Sequence, residues 1–251
     1  MKTSNHLLRR LTAALLAAVL ALSIALPVFA SDDGDTIYIN SVSDLLSLAK
    51  NCAYDQWSVG KTVILQKDLS LEGMLWEPIP SFSGQFKGNG HTISDLTITG
   101  QYSPAGLFGI VEEQGSIESL SVRGIVSVSD SADTTTGGIV GINHGTLINC
   151  QFTGVVTGDS EVGGIVGRNE SEGTIDHSTA RAIVTGKSST GGIAGYNLGA
   201  ITGCTNVGSI NTEYQEASLD TDGFTAKMVD QINNKMAAAD DDVTNSVTNV
   251  A

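Results

Sequence analysis

Apolar residues in this chain come in runs of three to six bounded by glycine, and between Gly106 and Ile210 the runs return in a fixed order. Gly137-Gly138-Ile139-Val140-Gly141 is followed by Asn143, Gly145-Thr146-Leu147, Cys150 and Gly154-Val155-Val156. The same order reappears as Gly163-Gly164-Ile165-Val166-Gly167, Asn169, Gly173-Thr174-Ile175, Ser178 and Ile183-Val184. A third copy reads Gly191-Gly192-Ile193-Ala194-Gly195, Asn197, Gly199-Ala200-Ile201, Cys204 and Gly208-Ser209-Ile210. A looser first copy runs from Gly106-Leu107-Phe108-Gly109 through Ile117 and Leu120 to Val126. From Gly138 to Gly164 is 26 residues and from Gly164 to Gly192 is 28. A period of this length marks a solenoid.

Aligning the copies exposes three apolar columns: Leu107, Ile139, Ile165 and Ile193; Ile117, Leu147, Ile175 and Ile201; Val126, Val156, Val184 and Ile210. Runs this short, glycine-bounded and rich in β-branched residues predict strands, not helices. Three strands per repeat predict one coil of a parallel β-helix, with like residues stacked about 4.8 Å apart. The column Glu118, Ile148, Asp176, Thr202 changes chemistry at each step and is expected to face solvent. So is Ile110, Ile142, Arg168, Tyr196. Phe152 and Tyr196 read as the outward aromatics. The expected fold is all-β: a right-handed parallel β-helix with a short N-terminal α-helical cap.

Two further columns are polar or small. Asn143, Asn169 and Asn197 align, each two residues after a strand glycine. Asparagine tolerates the left-handed conformation of a coil corner, and stacked amides can hydrogen-bond from rung to rung. Gly141, Gly167 and Gly195 stand at a strand end, where close packing or a positive φ would exclude a Cβ.

The flanks follow other rules. Residues 1–30 read as a secretory signal peptide: Lys2, Arg9 and Arg10 precede an apolar stretch of Ala and Leu, and Val28-Phe29-Ala30 supplies small residues before Ser31. The apolar run is about 16 residues, short of the ~20 that span a bilayer. No cysteine follows the cleavage point and no second apolar run occurs, so a lipid anchor and a later membrane span are not expected. Residues 31–60 predict a cap, with an edge strand at 36–40 and an amphipathic helix at 41–53. Leu45, Leu46, Ala49 and Cys52 form the helix's apolar face, Ser41 or Ser43 its N-cap, and Trp57 packs below. The helix should hide the first coil's free edge. The solenoid itself is expected over 61–212, with Val63, Leu65, Ile93, Leu96 and Ile98 in its wall and residues 74–80 as a rigid loop. Residues 213–251 form an acidic, partly helical or disordered tail. Within it, Met228, Ile232 and Met236 fall four apart in a modest helix over 224–239.

The pattern Gly-Gly-Ile-Val-Gly, then Asn, Gly, Ile and Cys, resembles the GLUG repeat of secreted bacterial proteins. The stretch from Phe82 through Gly88-Asn89-Gly90-His91 to Ile93 resembles the coil that commonly precedes such repeats. Together they cover roughly residues 61–212. The resemblance implies a pectate-lyase-like β-helix of the surface or adhesin type. Such repeats also occur in the non-catalytic region of some IgA-cleaving metallopeptidases. The resemblance brings no catalytic residue with it, and fold alone does not set function.

Charge narrows the partners. Three of the 13 basic residues fall in the signal and none of the 27 acidic ones do, which leaves ten against 27, a net charge of −17. That balance argues against nucleic acid and anionic membranes. The three cysteines are sparse, and Cys150 and Cys204 share a column two coils apart, about 9.6 Å by rung spacing. A disulfide needs Cα atoms within about 7 Å, so all three are expected to be free.

Candidate chemistry is thin. Asp95, Glu118 and Asp176 lie near strand positions, while Asp130, Asp133, Asp159 and Glu161 fall in the variable turns before each Gly-Gly. Polysaccharide cleavage on a β-helix needs such groups converging on neighbouring coils. Here neighbouring coils offer Ile148 and Thr202 instead. The calcium nonapeptide, a His-Glu-x-x-His pair, a nucleophile elbow and a phosphate loop do not occur. His91 sits in a glycine turn, and His144 and His177 lie on different columns. No catalytic, cofactor or metal residue is therefore assigned. The expected function is that of a secreted or cell-surface scaffold for adhesion, spacing or ligand presentation, its partners being host or cell-surface glycans or proteins. The alternative is a polysaccharide lyase- or hydrolase-like enzyme.

Overall fold

The computed structural model describes residues 35–54, 56–128 and 134–211. The signal peptide, Asp130, Asp133 and the helix expected at 224–239 lie outside the described residues.

The chain winds. β1 (Thr36–Ile39) leads into α1 (Val42–Asn51) and the first turn continues through β2 (Thr62–Leu65) and β3 (Leu69–Ser70). β4 (Ile79–Phe82), β5 (Gln85–Lys87) and β6 (Thr92–Gly100) make the next, followed by β7 (Phe108–Val111), β8 (Ser116–Glu118) and β9 (Ser121–Val128). From there each turn has a fourth side. β10 (Thr135–Gly137) precedes β11 (Val140–Asn143), β12 (Thr146–Ile148) and β13 (Gln151–Thr157). β14 (Glu161–Gly163) precedes β15 (Val166–Asn169), β16 (Thr174–Asp176) and β17 (Thr179–Thr185). The last turn is β18 (Thr190–Gly191), β19 (Ala194–Asn197), β20 (Ala200–Thr202), β21 (Thr205–Asn206) and β22 (Ser209–Ile210).

Strands of successive turns pair in parallel and build four walls. One is β1-β2-β5-β8-β12-β16-β20 and another β4-β7-β11-β15-β19. The third is β3-β6-β9-β13-β17 with β21 and β22 on its outer edge, and the short fourth is β10-β14-β18. The parallel β-solenoid expected from the columns is therefore present. Leu147 pairs with Ile117 and Ile175, Ile175 with Ile201, and Val156 with Val126 and Val184. The fourth wall corrects the expectation of three strands per repeat. The segment before each Gly-Gly begins as a variable turn but ends in a strand.

The core runs the length of the solenoid and closes at its N-terminal end under α1. Ser41 caps the helix, its hydroxyl accepting from the Asp44 N–H. Leu45, Leu48 and Cys52 are buried and Ala49 packs beside them. Leu46, expected on this face, is exposed; the i, i+3, i+4, i+7 set that meets the core is 45, 48, 49, 52. β1 is the edge strand expected, ending its sheet. It pairs with β2 in parallel and forms the first rung. Residues 74–80 are also not wholly loop. Ile79 and Pro80 open β4, where the missing proline N–H is tolerated because β4 is an edge strand. Trp76 beside it is buried and donates its indole N–H to the Leu107 carbonyl at 3.1 Å.

Candidate functional site

Outward side chains and the polar inner column are the parts of the solenoid with chemistry, and the coil geometry sets both. The asparagine column lies inside. Asn143 and Asn169 are fully buried at the ends of β11 and β15. Asn143 Nδ2 donates to Asn169 Oδ1 at 2.8 Å, and Asn169 Nδ2 to Asn197 Oδ1 at 2.8 Å. Each amide also donates to a glycine carbonyl of its own turn: Gly145, Gly173 and Gly199 respectively. This is a rung-to-rung amide ladder. Its left-handed rationale does not hold, because the positive-φ residues form another column: Ser119 (53°), Asn149 (52°), His177 (46°) and Gly203 (62°). The corner therefore follows β8, β12, β16 and β20, six residues past Asn143 and Asn197 and eight past Asn169. The ladder stops at Asn143, whose Oδ1 is buried without a donor because Val111 occupies the preceding rung.

Gly141, Gly167 and Gly195 also sit inside strands, without positive φ. Their reason is close packing, against the fourth wall at Gly167 and Gly195 and against Pro104 and Ala105 at Gly141. A Cβ on Gly167 would stand 2.6 Å from the Thr136 nitrogen and 2.8 Å from the Gly141 carbonyl oxygen. Phe152 is a second correction. It lies in the core, since it shares the parity of Val156 along β13, and its ring fills the space that a side chain at Gly138 would take.

On the outside, the densest polar cluster centres on Arg168. Its guanidinium lies 2.9 Å from Glu170 and 3.5 Å from Glu161, and 5.0 Å over the ring of Tyr196 on the next rung. Thr135 adds a hydroxyl donor to Glu161 at 3.2 Å. The column Ile110, Ile142, Arg168, Tyr196 contained this pair as rung neighbours, and adjacency along it was the signal that would have found the cation–π contact. The other carboxylates have local partners. Asp159 meets Lys187 at 2.8 Å, and Asp176 meets His177 at 2.8 Å. Asp95 accepts from the Ser70 and Ser94 hydroxyls at 2.6 and 2.8 Å. Asp68 accepts the Thr92 N–H at 2.9 Å and faces His91 at 3.1 Å, and these two contacts, the backbone one first, hold its carboxyl below the usual range. His91 thus reaches from its glycine turn to the Asp68 carboxylate. Glu118 and Asp176 share a column but stand two rungs apart, with Ile148 between them. These contacts suit local support of the coil. Among the described residues no three His, Cys, Asp or Glu side chains group as a metal site.

The cysteines are all free. Cys150, Ser178 and Cys204 stack in the expected column, the Cys150 N–H donating to the Ser178 hydroxyl and the Ser178 N–H to the Cys204 sulfur. Burial pushes the Cys150 thiol up to about 12 and the Cys52 thiol up to about 11. Among the described residues no helix is long and apolar enough to cross a membrane.

The chain carries a GLUG motif. The family model described as "The GLUG motif" matches residues 158–185, the turn that comprises β14 to β17. Halomucin of Haloquadratum walsbyi is 31% identical over 155 residues, covering 57% of this chain and 2% of its own length. A "Putative Gly-rich membrane protein" of Evansella cellulosilytica is 29% identical over 137 residues, covering 39% of this chain and 16% of its own length. The chain thus spans a small part of both curated relatives. The crystal structure of a "putative immunoglobulin A1 protease" from Bacteroides ovatus aligns with 74% of this chain and 80% of its own, at 15% identity and a TM-score of 0.45.

Proposed function

We propose that this chain is a non-catalytic secreted or cell-surface β-helix scaffold, serving adhesion, spacing or ligand presentation toward host or cell-surface glycans or proteins. One observation carries the reading: inner columns persist from turn to turn, while the outer columns that hold ionisable groups change residue type. Apolar, glycine and asparagine columns repeat because each turn must bury the same shape. Outside, Ile142 gives way to Arg168 and then Tyr196, and Glu118 to Ile148 and then Asp176. A β-helix that cleaves a polymer holds ionisable groups on adjacent rungs within hydrogen-bond reach of one bond. Here carboxylates are engaged by Lys187, Arg168, His177, His91 and serine hydroxyls. The name of the Evansella relative supports a place at the cell envelope.

The test sets binding against turnover. The chain from Ser31 onward is applied to glycan and host-protein arrays, and in parallel to pectin, alginate and glycosaminoglycans in elimination and hydrolysis assays. Saturable binding without turnover is the expected result. Turnover lost on replacing one solenoid carboxylate overturns the reading.

A further inference from the structure

Charge is distributed unevenly around the solenoid. From β7 onward the acids belong to other sides: Glu118 and Asp176 to β8 and β16, Glu161 to β14, and Glu112 and Glu170 to the corner after β7 and β15. The wall of β9, β13 and β17 holds none, and its only charged residues are Arg123 and Arg181. From Ser31 onward the chain has ten basic and 27 acidic residues, so a wall with cations and no carboxylate is an exception. One turn earlier, Asp95 stands at a bulge of β6 with its carboxylate held by the Ser70 and Ser94 hydroxyls.

Parallel register lines the outward side chains of this wall into stripes along the solenoid axis. Arg123, Thr153 and Arg181 occupy consecutive rungs of one stripe. The two arginines stand about 9.6 Å apart by rung spacing, with the threonine between them. Gln151 donates its side-chain N–H to Thr153 Oγ1 at 3.4 Å, which leaves the Thr153 hydroxyl hydrogen to serve as a donor. Arg123 is exposed. Beside this stripe run Ile125, Val155 and Ile183, and beyond them the hydroxyls of Ser127, Thr157 and Thr185. Ile125 and Val155 are buried and pack with Ile183 apart from the main core. The aliphatic stripe is therefore a floor, and the arginines and hydroxyls on either side of it are the contact points.

We infer that this wall is the docking strip for a polysaccharide that carries anionic groups, laid along the solenoid axis with its anions on Arg123 and Arg181. The strip gives the proposed scaffold a ligand class and rests on that reading. A guanidinium fork takes the paired oxygens of a carboxylate or a sulfate. Hydroxyls repeated at every rung suit a polymer whose own groups repeat. Shape then selects among polyanions. Charges more than a Debye length away, about 10 Å at 0.1 M salt, are largely screened, so a chain confined to this wall meets the arginines and not the acids of the opposite walls. A single sugar chain is narrow enough to stay there. A nucleic-acid duplex or a bilayer is broader and also meets the acidic sides. Single-stranded nucleic acid is held by aromatic platforms, and the ring in these strands, Phe152, lies in the core.

The chain from Ser31 onward is titrated against immobilised alginate, heparin, dextran and duplex DNA at several salt concentrations. Saturable binding to alginate or heparin, and none to dextran, is the expected result; alginate places carboxylates on the strip and heparin sulfates. Arg123→Ala and Arg181→Ala should each weaken that binding at least tenfold and lower its salt slope by about one. Lys187→Ala removes a cation that pairs with Asp159 off this wall, and should leave the affinity within twofold. Arg123 is exposed, so its variant should keep the urea midpoint of the unsubstituted chain, and it decides alone if Arg181→Ala fails to fold. If Arg123→Ala shifts the midpoint, Arg123→Gln, which keeps the stem, takes its place. Failure to bind either acidic polymer, equal binding to dextran, or an affinity indifferent to the loss of Arg123 overturns the strip. Tighter binding to DNA assigns the wall to nucleic acid and overturns it too. Dextran binding that survives both arginine variants overturns the strip and leaves the scaffold reading standing. Cleavage of a polymer whose binding needs the two arginines overturns the scaffold reading and supports the strip.

Discussion

The leading turns and the repeat turns enclose the same core by opposite means. In the leading turns Phe82, Phe86 and Phe108 meet with ring centroids 5.4 to 6.3 Å apart, and Trp76 is buried nearby. Along the same columns the side chains then shrink. Phe86 is followed by Ile117, Leu147 and Ile175, and Phe108 by Val140, Val166 and Ala194. The fourth wall enters where they shrink, since β10, β14 and β18 belong only to the repeat turns. Its backbone approaches Gly167 and Gly195 so closely that a Cβ would strike it, and at Gly141 the Pro104-Ala105 segment bridged to Thr136 stands in its place. At Gly109, one turn earlier in that column, a Cβ would meet the Pro80 and Ile79 carbonyls at 3.1 and 3.3 Å. The leading turns are filled by clustered rings; the repeat turns, apart from the buried ring of Phe152, bring backbones together. Both satisfy the requirement for native packing density.

If rings fill the leading turns, removing one should have the largest single effect in the molecule. Phe86→Ala is expected to cost about 3–5 kcal/mol, read from the urea midpoint at constant slope. A cost near that of an ordinary surface substitution would mean that the aromatic cluster does not carry the leading core.

The glycine column tests the other half. Gly167→Val forces a side chain against the Thr136 nitrogen and the Gly141 carbonyl, backbone atoms that cannot rotate aside, and should cost about 3 kcal/mol. Gly109→Ala, with only its two carbonyl neighbours to displace by a few tenths of an ångström, should cost clearly less. Equal losses at the two positions would erase the distinction between leading and repeat turns.

The sequence carried this architecture unevenly, and the reasons are physical. Columns of like residues were legible because every turn faces the same neighbour, so Leu147, Val156 and Asn169 announce their stacks by repetition alone. Asn169 could be placed in a ladder but not inside it, since buried and solvent-facing amides leave the same spacing. The left-handed corner escaped because Ser119, Asn149, His177 and Gly203 share a conformation and not a residue type. The fourth wall escaped because β14 and β18 are two or three residues long and continuous with variable turns. Phe152 reads as outward because an isolated ring among small residues resembles an exposed platform, although its parity with Val156 points inward. The outer cluster at Arg168 was readable as a shared column but not as a contact, because rotamers are not written in spacing.

The amide ladder offers a smaller and more local test within the repeat turns. Asn169→Ala removes the acceptor of Asn143, the donor to Asn197 and the bond to the Gly173 carbonyl at once. Leaving such groups buried should cost about 2 kcal/mol by chemical denaturation. The converse substitution is Val111→Asn, which supplies a donor to the unpartnered Asn143 Oδ1. Its cost should be larger in an Asn143→Ala background than alone. Strict additivity in that double-mutant cycle would show that the ladder ends at Asn143 for reasons other than the missing donor.

At neutral pH the smallest effect expected is at the thiols, which separate the two regions only as pH rises. Cys52 belongs to the cap over the leading turns and Cys150 to the repeat core, and burial raises both thiols, to about 11 and about 12. A buried thiol resists ionisation, so above the ordinary value of 9.0 the unfolded chain releases protons that the folded chain keeps. Stability from this source is complete below pH 9 and is lost as pH rises through 9 toward the folded values. The alkaline limb of a stability-against-pH curve should therefore fall between about pH 9 and 12. Cys150→Ser, which places in that rung the residue that Ser178 already supplies in the next, should flatten the limb while changing stability at pH 7 little. Cys52→Ser should flatten it less, since its thiol is raised less and the Ser58 hydroxyl partly offsets burial there. A limb that keeps its slope in both variants would assign alkaline unfolding to groups outside the two cores.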